Sequence, residues 1–188
     1  MKVHKKVSVK INKYLFSFSA MLIMVSVSHF SNAQIFNYQV NAIYVYSFTK
    51  YIEWPSTTGD IPSDQFVIGV LGDSYILNEL KILTENKRVH NRSIVVRIID
   101  LSEVKLCHLV VVSKSQSTLI KKVKEASIGL PVLIVTEKPG LTSKGAEICI
   151  FIDDEDHFKT KFELSKTNVI KKGLKIASEL INLAEIVY

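Results

Sequence analysis

Three short, nearly unbroken apolar runs constrain the fold of this chain more than any other feature of its sequence. They lie at Phe66–Leu71, His108–Val112 and Val132–Thr136. None of them alternates between apolar and polar residues, as a strand with one face in water would. Strands that are apolar on both faces are typical of parallel sheets covered by helices. Helical apolar spacing in Tyr75–Glu85 and Ser115–Ala126 predicts helices between the strands.

The segments around these runs predict one domain. They comprise a first helix in Gln34–Glu53, an antiparallel hairpin of Ala146–Ile152 and Phe158–Leu164, and a long closing helix in Thr167–Ile186. Ile94–Ile99 reads as a strand interrupted by Arg97, so we place it nearer an edge. We therefore predict an α/β fold: a single-domain, three-layer sandwich whose mostly parallel sheet is flanked by helices and finished by an antiparallel edge hairpin. This arrangement is Rossmann-like.

The first thirty-three residues have the pattern of an export signal. Five lysines without an acidic residue precede an apolar run, Leu15–Val27, and small residues follow at Ser31 and Ala33. The apolar run is shorter than the roughly 18–20 residues that a membrane span needs, which favours a cleaved signal over an anchor. We therefore predict a cleaved signal peptide over residues 1–33, a mature domain over residues 34–188, and a periplasmic location.

Removing that signal changes the meaning of the net charge. The full chain carries 24 basic and 18 acidic residues, a formal charge of +6. Loss of five leader lysines leaves the mature chain at +1. The composition of the mature chain therefore gives no support for a basic, nucleic-acid-binding surface, and we expect no nucleic-acid partner.

The turn after the first apolar run is the best-placed candidate for a binding site. Gly72-Asp73-Ser74 follows that run, without the G-x-G-x-x-G or Gly-Lys-Ser/Thr pattern of phosphate-binding loops. The carboxyl ends of parallel strands are nevertheless where doubly wound sheets bind ligands. Asp73, Ser74, Ser113 and Ser115 are therefore predicted to line a binding crevice, without a catalytic role.

The remaining polar residues do not form a catalytic or metal-binding pattern. The histidines beyond the leader lack the i, i+4 spacing of a helical metal site, and no serine lies in G-x-S-x-G. The acidic run Asp153–Asp156 contains no glycine and lacks a calcium-loop pattern, so it predicts a charged hairpin tip. We expect no catalytic residues, no metal and no cofactor, and we predict that the protein is not an enzyme.

Two cysteines, Cys107 and Cys149, leave two alternatives open. An oxidising compartment permits a disulfide between them. Cysteine is also a common small buried apolar residue, and a bridge requires Cα atoms within about 7 Å. Cys107 precedes a predicted buried strand and Cys149 lies in a hairpin arm.

Four motifs, in order along the chain, resemble those of the YfiR-like family. They are the opening segment Tyr46–Pro55, similar to F-x-K-(F/Y)-(V/I)-E-W-P, the strand and turn Phe66–Asp73, the Cys-His strand Cys107–Ser113, and the closing Gly173–Ser178. The resemblance covers essentially all of the chain after the leader. Members of this family can carry two disulfides, whereas here only Cys107 lies in a recognisable cysteine motif.

The resemblance implies a small periplasmic regulator, often dimeric, whose best-understood relative represses a membrane-bound diguanylate cyclase by binding its periplasmic domain. We accordingly expect a membrane-anchored signalling protein as partner, and homodimer formation. Trp54, in the opening motif, joins the candidate partner-binding residues. The alternative function is a periplasmic small-ligand sensor that uses the strand-end crevice and feeds a histidine kinase.

Overall fold

The computed structural model describes residues 37–55, 61–72, 75–153, 155–156 and 159–188. The predicted signal peptide therefore lies outside the described residues, and so do Asp73 and Ser74 of the predicted crevice. Among the described residues, no helix is long and apolar enough to cross a membrane.

Ten strands and five α-helices make up the described part of the chain. The strands are β1 (Ile52–Glu53), β2 (Gln65–Leu71), β3 (Arg88–Val89), β4 (Arg92–Ile99), β5 (Leu109–Val112), β6 (Leu133–Thr136), β7 (Ile148–Asp153), β8 (Lys159–Leu164), β9 (Lys175–Ile176) and β10 (Ile186–Val187). The α-helices are α1 (37–51), α2 (Ile76–Thr84), α3 (Ile120–Ala126), α4 (Lys166–Lys171) and α5 (Ser178–Leu183). Shorter 3-10 helices cover Leu101–Leu106, Lys114–Leu119 and Thr142–Lys144.

Eight of these strands form one mixed sheet in the order β10-β8-β7-β6-β5-β2-β4-β3. The strands from β4 to β7 in this order pair in parallel, and β8 pairs antiparallel with β7, so the predicted hairpin is confirmed. The hairpin is not the edge of the sheet, because β10 returns to pair in parallel with β8. At the other end, β3 pairs antiparallel with the first two residues of β4.

Each face of the sheet has its own apolar cluster, because successive strand residues point to opposite sides. Leu109 and Val111 of β5 belong to one cluster, which also contains buried residues of α1, α2, α4 and α5. Val110 and Val112 belong to the other cluster, with residues of α3 and the 3-10 helix before β5. Burial on both sides explains why the apolar runs carry no alternation.

The predicted long closing helix over Thr167–Ile186 is wrong. The chain instead forms α4, then β9, then α5 and β10. Gly173 follows α4 with a φ of 72°, the left-handed conformation that commonly ends helices. Val169, Leu174 and Leu180 all pack into the same cluster. The apolar spacing therefore continues through the break, and for that reason it resembles one helix.

Two predicted helix ends also differ from the structure. Residues Ile52–Glu53 were predicted to end the first helix, but they form β1, which pairs with β9 across a separate two-stranded sheet. The α-helix predicted over Ser115–Ala126 begins later, because Ser115 lies inside the 3-10 helix Lys114–Leu119 and α3 begins only at Ile120. The first difference arises from pairing with a distant strand, which local spacing does not contain.

Candidate functional site

The carboxyl ends of β2 and β5 bring the turn after β2 next to Ser113 and Ser115, the two residues of the predicted crevice that the structure describes. Gly72 follows β2 with a φ of 95°, a conformation that glycine adopts without steric cost. A Cβ atom at this position would overlap the Ser113 hydroxyl and the Gln116 side chain. The Ser113 amide donates to the Leu71 carbonyl at 3.1 Å, and the hydroxyls of Ser113 and Ser115 lie 2.9 Å apart. Ser113 and Ser115 therefore stand together beside the turn.

The two serines differ in their access to solvent. Ser113 is buried, and its hydroxyl pairs with that of Ser115, which is exposed. Ser113 therefore fixes the close approach of the β2 turn to the β5 end, whereas Ser115 faces outward. Of this pair, only Ser115 can meet a ligand directly.

A groove of about 670 Å³ opens beside this point, between the ends of β2 and β4. Its lining residues are Leu71, Gly72, Ile98, Ile99, Asp100, Leu101, Ser102, Gln116 and Leu119. The Asp100 carboxylate accepts from the Ser102 amide at 2.8 Å and from its hydroxyl at 2.6 Å, which lowers the Asp100 pKa. That carboxylate caps the following 3-10 helix. Among the described residues, the side-chain amide of Gln116 has no hydrogen-bond partner, whereas the Gln116 backbone N–H donates to the Ser113 carbonyl at 3.0 Å. The side-chain amide is therefore the polar group left for a ligand.

Trp54 lies at the opposite end of the sheet from the crevice. Its indole Nε1 donates to the His108 carbonyl at 3.0 Å, and its ring meets that of Phe66 edge-on at 4.9 Å. Phe66 in turn stacks on the His108 ring at 4.6 Å. His108 precedes β5, whereas Ser113 follows it. Of the sequence-predicted site residues, Trp54 therefore lies near the start of β5, whereas Ser113 and Ser115 lie after its end.

His108 is a buried, neutral histidine. Its Nδ1 accepts from the Val67 amide at 3.1 Å, and the Arg92 guanidinium lies 3.0 Å from its Nε2. A neutral imidazole has only one acceptor nitrogen, so only one of these contacts is a hydrogen bond. Burial, and then the Arg92 charge, lower the His108 pKa to about 4. The ring is thus uncharged at neutral pH.

A second buried ionisable group lies at the start of β7. The Glu147 carboxylate accepts from the Ile134 amide at 2.6 Å, and burial raises the Glu147 pKa. Lys172, after α4, donates to the Ser127 carbonyl at 2.7 Å, and burial lowers the Lys172 pKa. Their opposite charges favour each other, but burial disfavours both charged forms. These contacts involve four segments: the end of α3, β6, the start of β7 and the residue after α4.

Cys107 and Cys149 are both free thiols, and both are buried. Cys149 is in register with Thr136, which is in register with Val112, five residues after Cys107. At ~4.8 Å per strand and ~3.3 Å per residue, the two Cα atoms are about 19 Å apart, against the ~7 Å limit for a bridge. Burial raises the pKa of Cys107 to about 11 and that of Cys149 to about 12. Neither thiol therefore forms a reactive thiolate at neutral pH.

The acidic tip of the β7–β8 hairpin is held by a lysine. The Lys161 ammonium lies 2.8 Å from Asp153, 3.3 Å from Asp156 and 3.3 Å from Glu185. Asp154 lies outside the described residues. Within the described ranges, no group of three histidine, cysteine or acidic residues could hold a metal ion.

Sequence reasoning missed two polar side chains, Gln116 and Arg92. Gln116 lies three residues after Ser113 in a segment with helical spacing. Residues three apart on a helix are neighbours, so this spacing could have identified Gln116 as a neighbour of Ser113. Arg92 meets His108 across 16 residues of sequence, and the local pattern contains no signal for that contact.

Comparison with known proteins identifies a family. The family model described as YfiR/HmsC-like matches residues 38–185, which confirms the resemblance found in the motifs. The crystal structure of a conserved domain protein from Vibrio cholerae O1 biovar El Tor strain N16961 aligns with a TM-score of 0.50 and 12% identity. That alignment covers 65% of this chain and 54% of the Vibrio chain, so this chain spans about half of its length. At this identity the likeness concerns the fold alone. No curated protein matches the sequence.

Proposed function

Because the chain belongs to the YfiR/HmsC-like family over residues 38–185, we propose that it is a non-catalytic periplasmic regulator of cyclic-di-GMP signalling. In this role it binds the periplasmic domain of a membrane-anchored signalling protein, a diguanylate cyclase, and represses it. The family match is the observation that carries the proposal. The three-layer, Rossmann-like arrangement belongs to the same proposal, supported by apolar clusters on both faces of the sheet.

The state of the polar side chains supports a role without catalysis. The ring of His108 is neutral and enclosed between Phe66 and the Val67 amide. Both cysteines are buried with raised pKa values. The Ser113 hydroxyl is hydrogen-bonded to the Ser115 hydroxyl. These four described residues, which could otherwise act as base or nucleophile, thus contribute to the stability of the fold.

Export and repression can be tested in one genetic experiment. Deleting the gene should raise cellular cyclic-di-GMP, and the full chain should restore the original level. A version without residues 1–33 should fail to restore it, because it would stay in the cytoplasm. The matched control replaces residues 1–33 with an unrelated export signal, which should restore repression.

Two results would contradict the proposal. An unchanged cyclic-di-GMP level after deletion would contradict the regulatory role. Full restoration by the version without the leader would contradict the periplasmic location, and therefore also binding to a periplasmic domain.

A small-ligand sensor is the second candidate function, and the groove between β2 and β4 favours it. The groove is mainly apolar, with the Gln116 amide at its wall. A ligand at a hundred times its Kd adds about 2.7 kcal/mol to stability, which thermal-shift screening of periplasmic metabolites detects. Gln116→Leu should abolish the shift, whereas Gln65→Leu, at the far end of β2, should keep it. Absence of any shift across the screen would contradict this function.

A further inference from the structure

The groove between the ends of β2 and β4 has the size and the lining of a small-molecule site. Its volume of about 670 Å³ falls within the roughly 300–1,000 Å³ of ordinary ligand pockets. Ile98 is 59% exposed, so the groove leaves apolar surface in water that a ligand can cover. Five of the lining residues are large and aliphatic: Leu71, Ile98, Ile99, Leu101 and Leu119. These residues fit an apolar body.

Of the described residues that line the groove, Asp100 alone is charged. Its carboxylate accepts from the Ser102 amide, the Ser102 hydroxyl and the Glu103 amide. A carboxylate offers about four acceptor positions, so these contacts leave a position for a further donor. The Ser102 contacts lower the Asp100 pKa, and the group is therefore charged at neutral pH. The Arg97 guanidinium is paired with Glu103 at 2.7 Å, so it does not cancel this charge.

Gln116 lies on the other wall of the groove. It follows β5, whereas Asp100 follows β4, and β2 lies between these two strands. Its side-chain amide, which has no partner among the described residues, offers a carbonyl oxygen as a further acceptor. No described lining residue carries a positive charge. The polar part of the groove is therefore suited to a cationic donor.

We propose that the groove binds a small apolar amine, with its ammonium group at the Asp100 carboxylate and its hydrocarbon body on the aliphatic lining. This inference rests on the small-ligand function given above as the second candidate, and it names the class of ligand. Hydrogen bonds between an ammonium group and a carboxylate are roughly twice as strong as neutral ones. The body of the amine would also cover the exposed surface of Ile98.

Other classes of ligand fit the groove less well. A ligand carboxylate would meet the Asp100 charge at close range, and like charges repel. A neutral apolar molecule would take the Asp100 carboxylate out of water without giving it a partner. An amino acid carries both charges, so its own carboxylate would offset part of the gain. In the described ranges, no group of three histidine, cysteine or acidic residues could hold a metal ion.

Matched probes with a common hydrocarbon body test the class of ligand. One set is 2-phenylethylamine, 2-phenylethanol, phenylacetate and phenylalanine, and a second, aliphatic set is hexylamine, 1-hexanol and hexanoate. Calorimetric titration of the purified protein at neutral pH gives the Kd of each. Both amines should bind, and each alcohol should bind about tenfold more weakly, because it lacks the charge. The two acids should not bind, and phenylalanine should bind more weakly than 2-phenylethylamine.

Three variants test the position of the ammonium group. Asparagine caps helices about as well as aspartate, so Asp100→Asn keeps the helix start and removes the charge. It should weaken amine binding about tenfold and leave the alcohols unchanged. Gln116→Glu should strengthen amine binding about threefold, because it adds a negative charge to the groove, and a damaged fold would not produce such a gain. The control is Glu179→Gln on α5, which packs against the opposite face of the sheet and should bind amines normally.

The possible failures have distinguishable meanings. If neither amine binds at millimolar concentration, the proposal is wrong. It is also wrong if Asp100→Asn melts like the unmodified chain and binds the amines equally well. Tighter binding of the acids or alcohols would overturn the amine class but support the small-ligand function, because the groove would still take a ligand. Absence of any shift across the full metabolite screen would overturn that function as well.

Discussion

Acid should destabilise this protein through His108. The pKa of its imidazole is about 4 in the folded chain, against an ordinary value of 6.5. A depressed histidine pKa gives a stabilising contribution that is complete above about pH 6.5 and is lost as the pH falls toward 4. A fall of the His108 pKa from 6.5 to about 4 corresponds to about 3 kcal/mol of unfolding free energy. That is a large fraction of the stability of an ordinary domain.

Glu147 acts in the opposite direction, so the total pH dependence of stability does not isolate His108. Burial raises the pKa of the Glu147 carboxyl above its ordinary value of 4.5. The folded chain therefore holds that proton more tightly than the unfolded chain does. The resulting stabilisation is present below about pH 4.5 and is lost as the pH rises, which partly cancels the His108 effect between pH 4.5 and 6.5.

A comparison of variants separates the two effects. Urea unfolding, followed by far-ultraviolet circular dichroism, gives the free energy of unfolding at each pH from 4 to 7.5. His108→Asn keeps an acceptor for the Val67 amide and removes the titrating ring. We expect the stability advantage of the unmodified chain over this variant to shrink by about 3 kcal/mol between pH 7 and 4. His90→Asn, in an exposed turn, is the control for the loss of an imidazole, and the His108→Asn profile is compared with it. An advantage that is constant over this pH range would refute the reasoning.

Three further predictions concern the packing around the two ends of β5. Gly69→Ala should cost about 1–3 kcal/mol in urea unfolding, because the new Cβ would lie 2.7 Å from the Cys107 sulfur; unchanged stability would mean that the sheet adjusts freely there. Trp54→Phe should cost about 1 kcal/mol in the same assay, because it removes the bond to the His108 carbonyl; an equally stable variant would show that this bond contributes nothing. Mass spectrometry after alkylation in denaturant, without reductant, should find both Cys107 and Cys149 modified, and an unmodified pair would indicate a bridge.

The sequence predicted the buried centre of the fold better than its margins. β2, β5 and β6 are covered on both faces, and this burial leaves unbroken apolar runs that are readable locally. The position of β4 near one end of the sheet was also predictable, since Arg97 interrupts its apolar run. The strands of only two residues, such as β1 and β9, form through pairing across more than a hundred residues. Their local sequence carries no comparable pattern.

The candidate site was predictable to a similar degree. Gly72 and Ser113 each follow a parallel strand, so their meeting follows from the rule that such strands end at one edge. The contact of Trp54 with His108 joins residues 54 positions apart, and it depends on where the segment after α1 passes the sheet. Motif similarity marked Trp54 as important without showing that it lies away from the crevice.

The surroundings of Trp54 also supply a built-in optical probe. The chain contains a single tryptophan, so its intrinsic tryptophan emission comes from one known position. That indole is hydrogen-bonded to the His108 carbonyl and lies edge-on to the ring that stacks on the His108 imidazole. Indole emission responds in wavelength and intensity to its hydrogen bonding and to nearby charge. Protonation, binding or opening at this end of the sheet can therefore be followed without any label, while events confined to the groove at the other end should leave the emission unchanged.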